Sequence, residues 1–109
     1  EFGIVKDVNG NLVANLEIGA FETEFNTLVA RTFTDAAGRY SFIVPTQDYT
    51  LKLIDTSFSL ASSTAVNGGE PVIAPHHHDD NFIIIVQDLV VTNNSQNEIA
   101  GKDSLQSMQ

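Results

Sequence analysis

Residues 34–42, which read TDAAGRYSF, decide the fold that we predict for this chain. Asp35 can bond to the backbone two residues ahead, and Gly38 supplies a left-handed position, so this stretch predicts a turn. After the turn, Tyr40 and Phe42 alternate with polar residues and fall on one face of an extended strand. We therefore predict a β-hairpin whose returning strand places both aromatic side chains in the core.

Strand patterns separated by turn signals recur about every ten residues along the rest of the chain, as in a sandwich or barrel. Asn9-Gly10 predicts a type I′ hairpin turn, since both residues tolerate positive φ. Residues 55–65 predict either a short strand or a docking loop, residues 67–69 a break, and residues 71–74 a brief edge strand. The most strongly β-forming run, residues 82–91, predicts a central strand.

The fold class predicted from these patterns is all-β, a sandwich of about seven strands. We expect antiparallel pairing, because the connections are short and a parallel crossover needs a dozen or more residues. Residues 1–92 form the predicted domain, and residues 93–109 turn polar and predict a linker or disordered tail. The chain starts at Glu1 without a signal-peptide pattern, which suggests a piece of a longer protein.

Composition narrows the possible functions. Of the 109 residues, 42% are hydrophobic, enough for one core. Fourteen acidic residues against five basic ones give a formal net charge of -9, which disfavours binding to nucleic acid or to anionic membranes. No apolar stretch is long enough for a membrane span, so direct membrane insertion is not expected. The absence of cysteine excludes disulfides, thiolate zinc sites and a cysteine nucleophile.

About half of the chain resembles the carboxypeptidase regulatory-like domain, a transthyretin-like β-sandwich related to the collagen-adhesin B-type modules. The resemblance lies in four segments: GIVKD at 3–7 with the Asn-Gly turn after it, LEIGA at 16–20, TFTDAAGRYSFIVP at 32–45, and DYTL at 48–51. Asp48 stands where the family usually has glycine, and aspartate also tolerates turn conformations. The resemblance implies a Greek-key topology and a non-catalytic accessory module of a microbial surface protein.

The one unusual cluster of chemical groups is HHHDD at residues 76–80. Imidazole and carboxylate are suitable ligands for zinc, nickel or copper. In an extended segment His76, His78 and Asp80 would point to the same side and could share a divalent ion. The alternative interpretation is a solvated loop whose acidic residues protect the following strand from edge aggregation.

Two further sites are weaker hypotheses. Asp7, Asn9 and Asn11 alternate like the first ligands of a calcium loop, although no glutamate follows at the right distance and a hairpin turn explains all three residues. The resemblance to adhesin modules also raises an intramolecular isopeptide bond. It would join Lys6 to Asn81 or Asn93 with Asp55 as the acid, and a surface lysine beside solvated asparagines is the alternative.

Catalytic patterns are missing from the sequence. There is no Gly-x-Ser-x-Gly elbow to fix a triad, and the adjacent Asp79 and Asp80 would face apart in a strand. Asn93-Asn94-Ser95 matches the glycosylation pattern, which also arises by chance in asparagine-rich tails. We therefore expect a non-catalytic structural or interaction module of a secreted or cell-surface protein, monomeric in isolation and contacting neighbouring domains. The alternative is a module that binds a metal ion or a carbohydrate.

Overall fold

The computed structural model describes residues 1–61 and 70–94, and every strand discussed below lies in those ranges. They form ten strands: β1 Gly3–Asp7, β2 Glu17–Glu22, β3 Thr27–Phe33, β4 Arg39–Tyr40, β5 Phe42–Pro45, β6 Tyr49–Leu53, β7 Phe58–Leu60, β8 Val72–Ile73, β9 Phe82–Ile85 and β10 Leu89–Asn93. The all-β prediction is confirmed. These ranges contain no helix that is long and apolar enough to span a membrane.

The strands form two four-stranded sheets, in the orders β3-β2-β6-β8 and β4-β1-β10-β7, with β5 and β9 as an additional pair. All neighbours are antiparallel except β1 and β10, which run parallel with Val5 opposite Leu89. The expectation of antiparallel pairing is therefore wrong for this one pair. That expectation assumed that paired strands are joined by short connections, but β1 and β10 lie near opposite ends of the described chain.

Two long runs of chain bend around the start of β1. β4 and β5 form one run interrupted at Ser41, and β9 and β10 form another interrupted at residues 86–88. β1 lies between β4 and β10, and its first paired residue is Gly3. Beyond Gly3 the two flanking runs pair directly with each other as β5 and β9. We call this junction the fork. Ten strands are observed where about seven were expected. The division of each flanking run into two strands at the fork accounts for two of the three additional strands.

Gly3 occupies the fork because no side chain fits there. A Cβ atom on Gly3 would lie 2.7 Å from a ring carbon of Tyr40 and 2.8 Å from the backbone oxygen of Gln87. The Tyr40 hydroxyl donates to that same Gln87 carbonyl, and the Ile4 N–H donates to the Asp88 carboxylate at 2.8 Å. These bonds satisfy polar groups at the point where the strands separate.

The core lies between the sheets and draws on both of them. Its buried residues are Val5, Val13, Leu16, Ile18, Ala20, Tyr40, Phe42, Val44, Tyr49, Leu51, Ile85, Leu89 and Val91. The predicted inward placement of Tyr40 and Phe42 is confirmed, and their rings pack edge to face at 5.8 Å. Alternation along the strands thus identified the core face correctly in this part of the chain.

The turn after β1 and the turn after β3 have the same hydrogen-bond pattern. In each, an aspartate carbonyl accepts the N–H of a glycine three residues ahead, and the glycine has positive φ, 88° at Gly10 and 73° at Gly38. The aspartate carboxylate, of Asp7 or of Asp35, accepts the N–H groups two and four residues ahead at 2.9 Å. This is a three-residue hairpin loop with a left-handed glycine. The predicted type I′ turn at Asn9 is wrong, because only Gly10 has positive φ.

Among the described residues, Thr34 is the only polar residue that is buried in the core. Its hydroxyl donates to the Val13 carbonyl at 2.7 Å and accepts the Leu16 N–H at 2.9 Å. The Thr34 backbone also exchanges hydrogen bonds with Leu16 and Asn15. Thr34 therefore fixes the irregular segment that carries the chain from the first turn into β2.

Several smaller expectations have clear outcomes. Of the two alternatives for residues 55–65, a short strand or a docking loop, the described part forms the short strand β7; the edge strand expected at 71–74 is β8, at one end of its sheet. The run at 82–91 was predicted as one central strand; it is two strands, of which β10 is central, between β1 and β7, while β9 pairs with β5 alone among the described strands. The break at 67–69 and most of the tail, 95–109, lie outside the described residues.

Candidate functional site

The outer side of the β5–β9 pair is entirely apolar. Ile43 pairs with Ile84 and Pro45 with Phe82, and all four side chains point away from the core. Ile43 is 71% exposed, Phe82 63% and Ile84 56%. We call these four residues the apolar face. The alternate positions of the same strands point inward, so only one side of this pair is covered.

The first end of the apolar face is acidic. Thr46, just after β5, donates its backbone N–H to the Asn81 carbonyl at 3.2 Å, and its hydroxyl donates to the Asp80 carbonyl. These bonds hold the loop before β9 against the end of β5. The side chains of Asp79 and Asp80 in that loop are exposed. The loop that carries these two aspartates therefore lies against the end of the pair at Pro45 and Phe82.

The second end of the apolar face also carries a carboxylate. Asp88 is exposed and lies in the short break between β9 and β10, where one of its carboxylate oxygens accepts the Ile4 N–H. The cation that precedes β5 on the same run of chain is Arg39, and its guanidinium is already engaged. Its Nε lies 2.8 Å from the Asp35 carboxylate, and its guanidinium carbon lies 4.8 Å from the centre of the Phe2 ring.

The predicted metal ligands are all exposed but do not follow the extended path that was expected. The chain bends at His76 and turns at His78-Asp79, so the alternation needed to point three side chains the same way is interrupted. Throughout residues 1–61 and 70–94, no group of three or more His, Cys, Asp or Glu side chains is placed to hold a metal ion. Metal binding by His76, His78 and Asp80 stays a prediction.

The carboxylate proposed as a calcium ligand is occupied by its own turn. One Asp7 oxygen accepts the N–H groups of Asn9 and Asn11, and the other accepts the Asn11 side-chain amide at 3.3 Å. The bond from the Asn11 backbone is the main reason that the pKa of Asp7 lies below its ordinary value. The hairpin explanation accounts for all three residues.

The residues proposed for an isopeptide bond lie on different elements. Lys6 in β1 is exposed and pairs in register with Val90 of β10, three residues before Asn93. Asp55 accepts the Ser57 N–H at 2.9 Å, and Asn81 lies in the exposed loop before β9. In the glycosylation triplet, Asn93 ends β10 and Ser95 lies outside the described residues.

Two shallow depressions mark the surface elsewhere. One is acidic and lies between the turn after β2 and the turn after β5; its lining residues are Glu22, Thr23, Glu24, Gln47 and Asp48. The other lies near the start of β1 and combines exposed aromatic rings with polar groups; its lining residues are Phe2, Thr32, Phe33, Asp35, Arg39, Tyr40 and Ser41. In the second depression, the rings of Phe2 and Phe33 are both about half exposed.

Both tyrosine hydroxyls are bound to backbone carbonyls. Tyr40 donates to Gln87, and Tyr49 donates to Pro45 at 2.6 Å. Burial raises the pKa of both phenols, most strongly that of Tyr40, whose neighbour Asp88 adds a like-charge effect. Each hydroxyl therefore stays protonated and serves as a structural donor.

These features define a class of protein: a small all-β chain of sandwich-like architecture and net negative charge, with an apolar strand pair whose outer side the described residues leave uncovered. No protein-family model, curated protein or solved structure matches the chain.

The apolar face was missed by the sequence reasoning. Its signal is present, because β9 reads FIII and β5 reads FIVP, each with apolar residues at outward as well as inward positions. Such runs are typical of strands covered on both sides.

Proposed function

We propose that this chain is a non-catalytic interaction module of a larger secreted or cell-surface protein, of transthyretin-like type, and that the apolar face is its contact surface. Three considerations support the proposal. The motifs between residues 3 and 51 resemble accessory modules of surface proteins. The hydroxyl and carboxylate groups at the turns and the fork are bound to backbone atoms. The apolar face, in contrast, is left uncovered by the described chain.

The exposure of the apolar face is the observation that carries the proposal. Four side chains on two adjacent strands expose on the order of 400 Å² of apolar surface, comparable to the largest patch on a typical monomer, which is often functional. Covering that area would contribute on the order of 10 kcal/mol before the costs of association. A surface of this kind also favours aggregation unless a partner covers it.

Selection from a random peptide library tests the proposal. The wild-type chain and the double variant Ile43→Thr/Ile84→Thr are each immobilised, and displayed twelve-residue peptides are enriched on the wild type. We expect enriched peptides to bind the wild type at least tenfold more tightly than the double variant. Threonine is β-branched and suits an exposed strand position, so the variant keeps the fold.

Val72→Thr is the matched control, because Val72 is also an apolar strand residue, 59% exposed, on the other sheet. It should bind the enriched peptides like the wild type. Urea unfolding should give the same stability for all three proteins within about 0.5 kcal/mol, since surface substitutions away from packed features have small effects. Peptides that bind the double variant as well as they bind the wild type would refute the assignment.

The depression between Phe2 and Phe33 supports a second candidate, carbohydrate binding. It combines two half-exposed rings with the Asp35 carboxylate and the Arg39 guanidinium, and a sugar ring offers both an apolar face and hydroxyl groups. Substituting Phe33→Ala should abolish any glycan binding detected on an array of plant and microbial polysaccharides. Glycan binding that survives Phe33→Ala would place the site elsewhere.

A further inference from the structure

We infer that the partner of the apolar face is a short segment of another polypeptide, apolar at its centre and flanked by lysine or arginine at both ends. This inference rests on the proposed function and adds the chemistry of the partner. Size, charge and the position of the charges each limit what can bind there, and each is argued from the described residues.

The size of the apolar face favours a short segment. A stable interface of standard size buries about 800 Å² on each partner. The four residues of the apolar face, Ile43, Pro45, Phe82 and Ile84, present on the order of 400 Å², about half of that. The face is two strands wide, and β9 is four residues long, so its dimensions are about 10 Å by 13 Å. A single extended segment covers such an area, whereas a folded domain would rest largely on what surrounds it.

Charge argues against a second copy of this chain as the partner. Each copy has fourteen acidic and five basic residues, a net charge of -9. Two copies brought face to face would also bring their acidic loops within the range of electrostatic repulsion, about 8 Å at physiological ionic strength. A cationic partner reverses the sign of this interaction and associates faster.

The carboxylates that border the apolar face are placed at its two ends. Asp79 and Asp80 precede Phe82 at one end, and Asp88 follows Ile85 at the other, where one of its carboxylate oxygens also accepts the Ile4 N–H. The four residues of β9 span about 13 Å. A seven-residue segment in extended form spans about 20 Å from its first residue to its last, so its basic ends extend past β9 in both directions toward the acidic ends while its centre contacts Ile43 and Ile84.

Three synthetic peptides separate these contributions. The first is Lys-Lys-Val-Ile-Val-Lys-Lys, the second replaces every lysine by glutamate, and the third keeps the lysines but replaces the centre by Ser-Thr-Ser. Binding to the intact chain is measured by fluorescence anisotropy at 50 and 300 mM salt. We expect the first peptide to bind at least tenfold more tightly than either of the others, and to weaken at the higher salt concentration.

Variants of the chain assign the contacts. Ile43→Thr/Ile84→Thr should weaken the first peptide at least tenfold, and Val72→Thr should leave it unchanged. Asp79→Asn/Asp80→Asn should weaken it about threefold to tenfold and reduce its salt dependence. Asp48→Asn, an exposed carboxylate in the turn after β5, is the matched control and should have little effect.

Each outcome supports or overturns the inference. If the glutamate peptide binds as well as the lysine peptide, and the double threonine variant loses both, the apolar face is a contact surface but the inferred basic partner is wrong. If the threonine variant changes nothing, the proposed function fails as well. Sedimentation of the chain alone is the remaining arm: a dimer that Ile84→Thr abolishes would make a second copy the occupant and would overturn the inference.

Discussion

Replacing Thr34 by valine removes one hydroxyl from the centre of the fold and should have a large effect for so small a change. Valine has nearly the shape of threonine, so the packing around the residue is retained. The hydroxyl is the group that donates to the Val13 carbonyl and accepts the Leu16 N–H, at 2.7 and 2.9 Å. The substitution therefore leaves one buried acceptor and one buried donor without this partner.

The expected destabilisation follows from those two groups. A buried backbone group left unsatisfied costs about 1–3 kcal/mol, so the pair costs about 2–6 kcal/mol. A domain of this size has a total stability of about 5–15 kcal/mol, and Thr34→Val therefore removes a large part of it. With a urea slope of about 1–3 kcal/mol/M, the unfolding midpoint should fall by 1 M or more.

Urea unfolding followed by far-UV circular dichroism measures the effect, with Thr34→Ser as the matched control. Serine keeps the hydroxyl and loses only a methyl group, which should cost about 0.5–1.5 kcal/mol. Valine should therefore be the more harmful substitution, by about 0.5 kcal/mol or more. If Thr34→Val were as stable as the wild type, or if serine proved the worse of the two, the role assigned to the hydroxyl would be refuted.

Three further predictions concern the fork, the turns and the histidine loop. Gly3→Ala should destabilise the chain by about 1–3 kcal/mol in urea unfolding, because its Cβ would meet backbone atoms that cannot move freely; an unchanged midpoint would contradict the fork geometry. The pKa values of Asp7 and Asp35 are both lowered from 3.8, so both carboxylates should stabilise the fold above that pH, and this contribution should be lost as the pH falls through the lowered values. Replacing both residues by asparagine should therefore make the free energy of unfolding, measured by urea unfolding, fall less steeply as the pH is lowered. Zinc titration monitored by calorimetry should show binding that His76→Ala/His78→Ala removes, and equal affinity in both proteins would exclude the loop as the site.

The alternation of apolar and polar residues predicted the core well where each strand has one covered side. Tyr40 and Phe42 face inward because Arg39 and Ser41, which alternate with them, are polar, which leaves only one register that buries the aromatic rings. The turn at Asp35 was also predictable, since aspartate and glycine specify its local bonds without any distant contact. Local chemistry was sufficient in both cases.

The fork was not predictable, because it depends on residues far apart in the chain. Nothing in the sequence around Gly3 indicates that β1 begins there between two converging strands. Nor does it indicate that Gln87 and Asp88 interrupt a run of β-forming residues and accept hydrogen bonds from Tyr40 and Ile4. The twin turn at Asp7 was missed for a different reason. The Asn-Gly dipeptide suggested a two-residue turn, while the aspartate two positions earlier selects the longer loop.

The apolar face lies beyond the fork. Because β1 begins at Gly3, the two flanking runs pair directly with each other beyond it, as β5 and β9. A strand exposed on one side normally alternates apolar and polar residues, yet Ile43 and Ile84 are apolar on the exposed side. The sequence of this pair is thus that of strands covered on both sides, and the described chain covers only one. The acidic ends at Asp80 and Asp88 then favour a cationic partner as the missing cover.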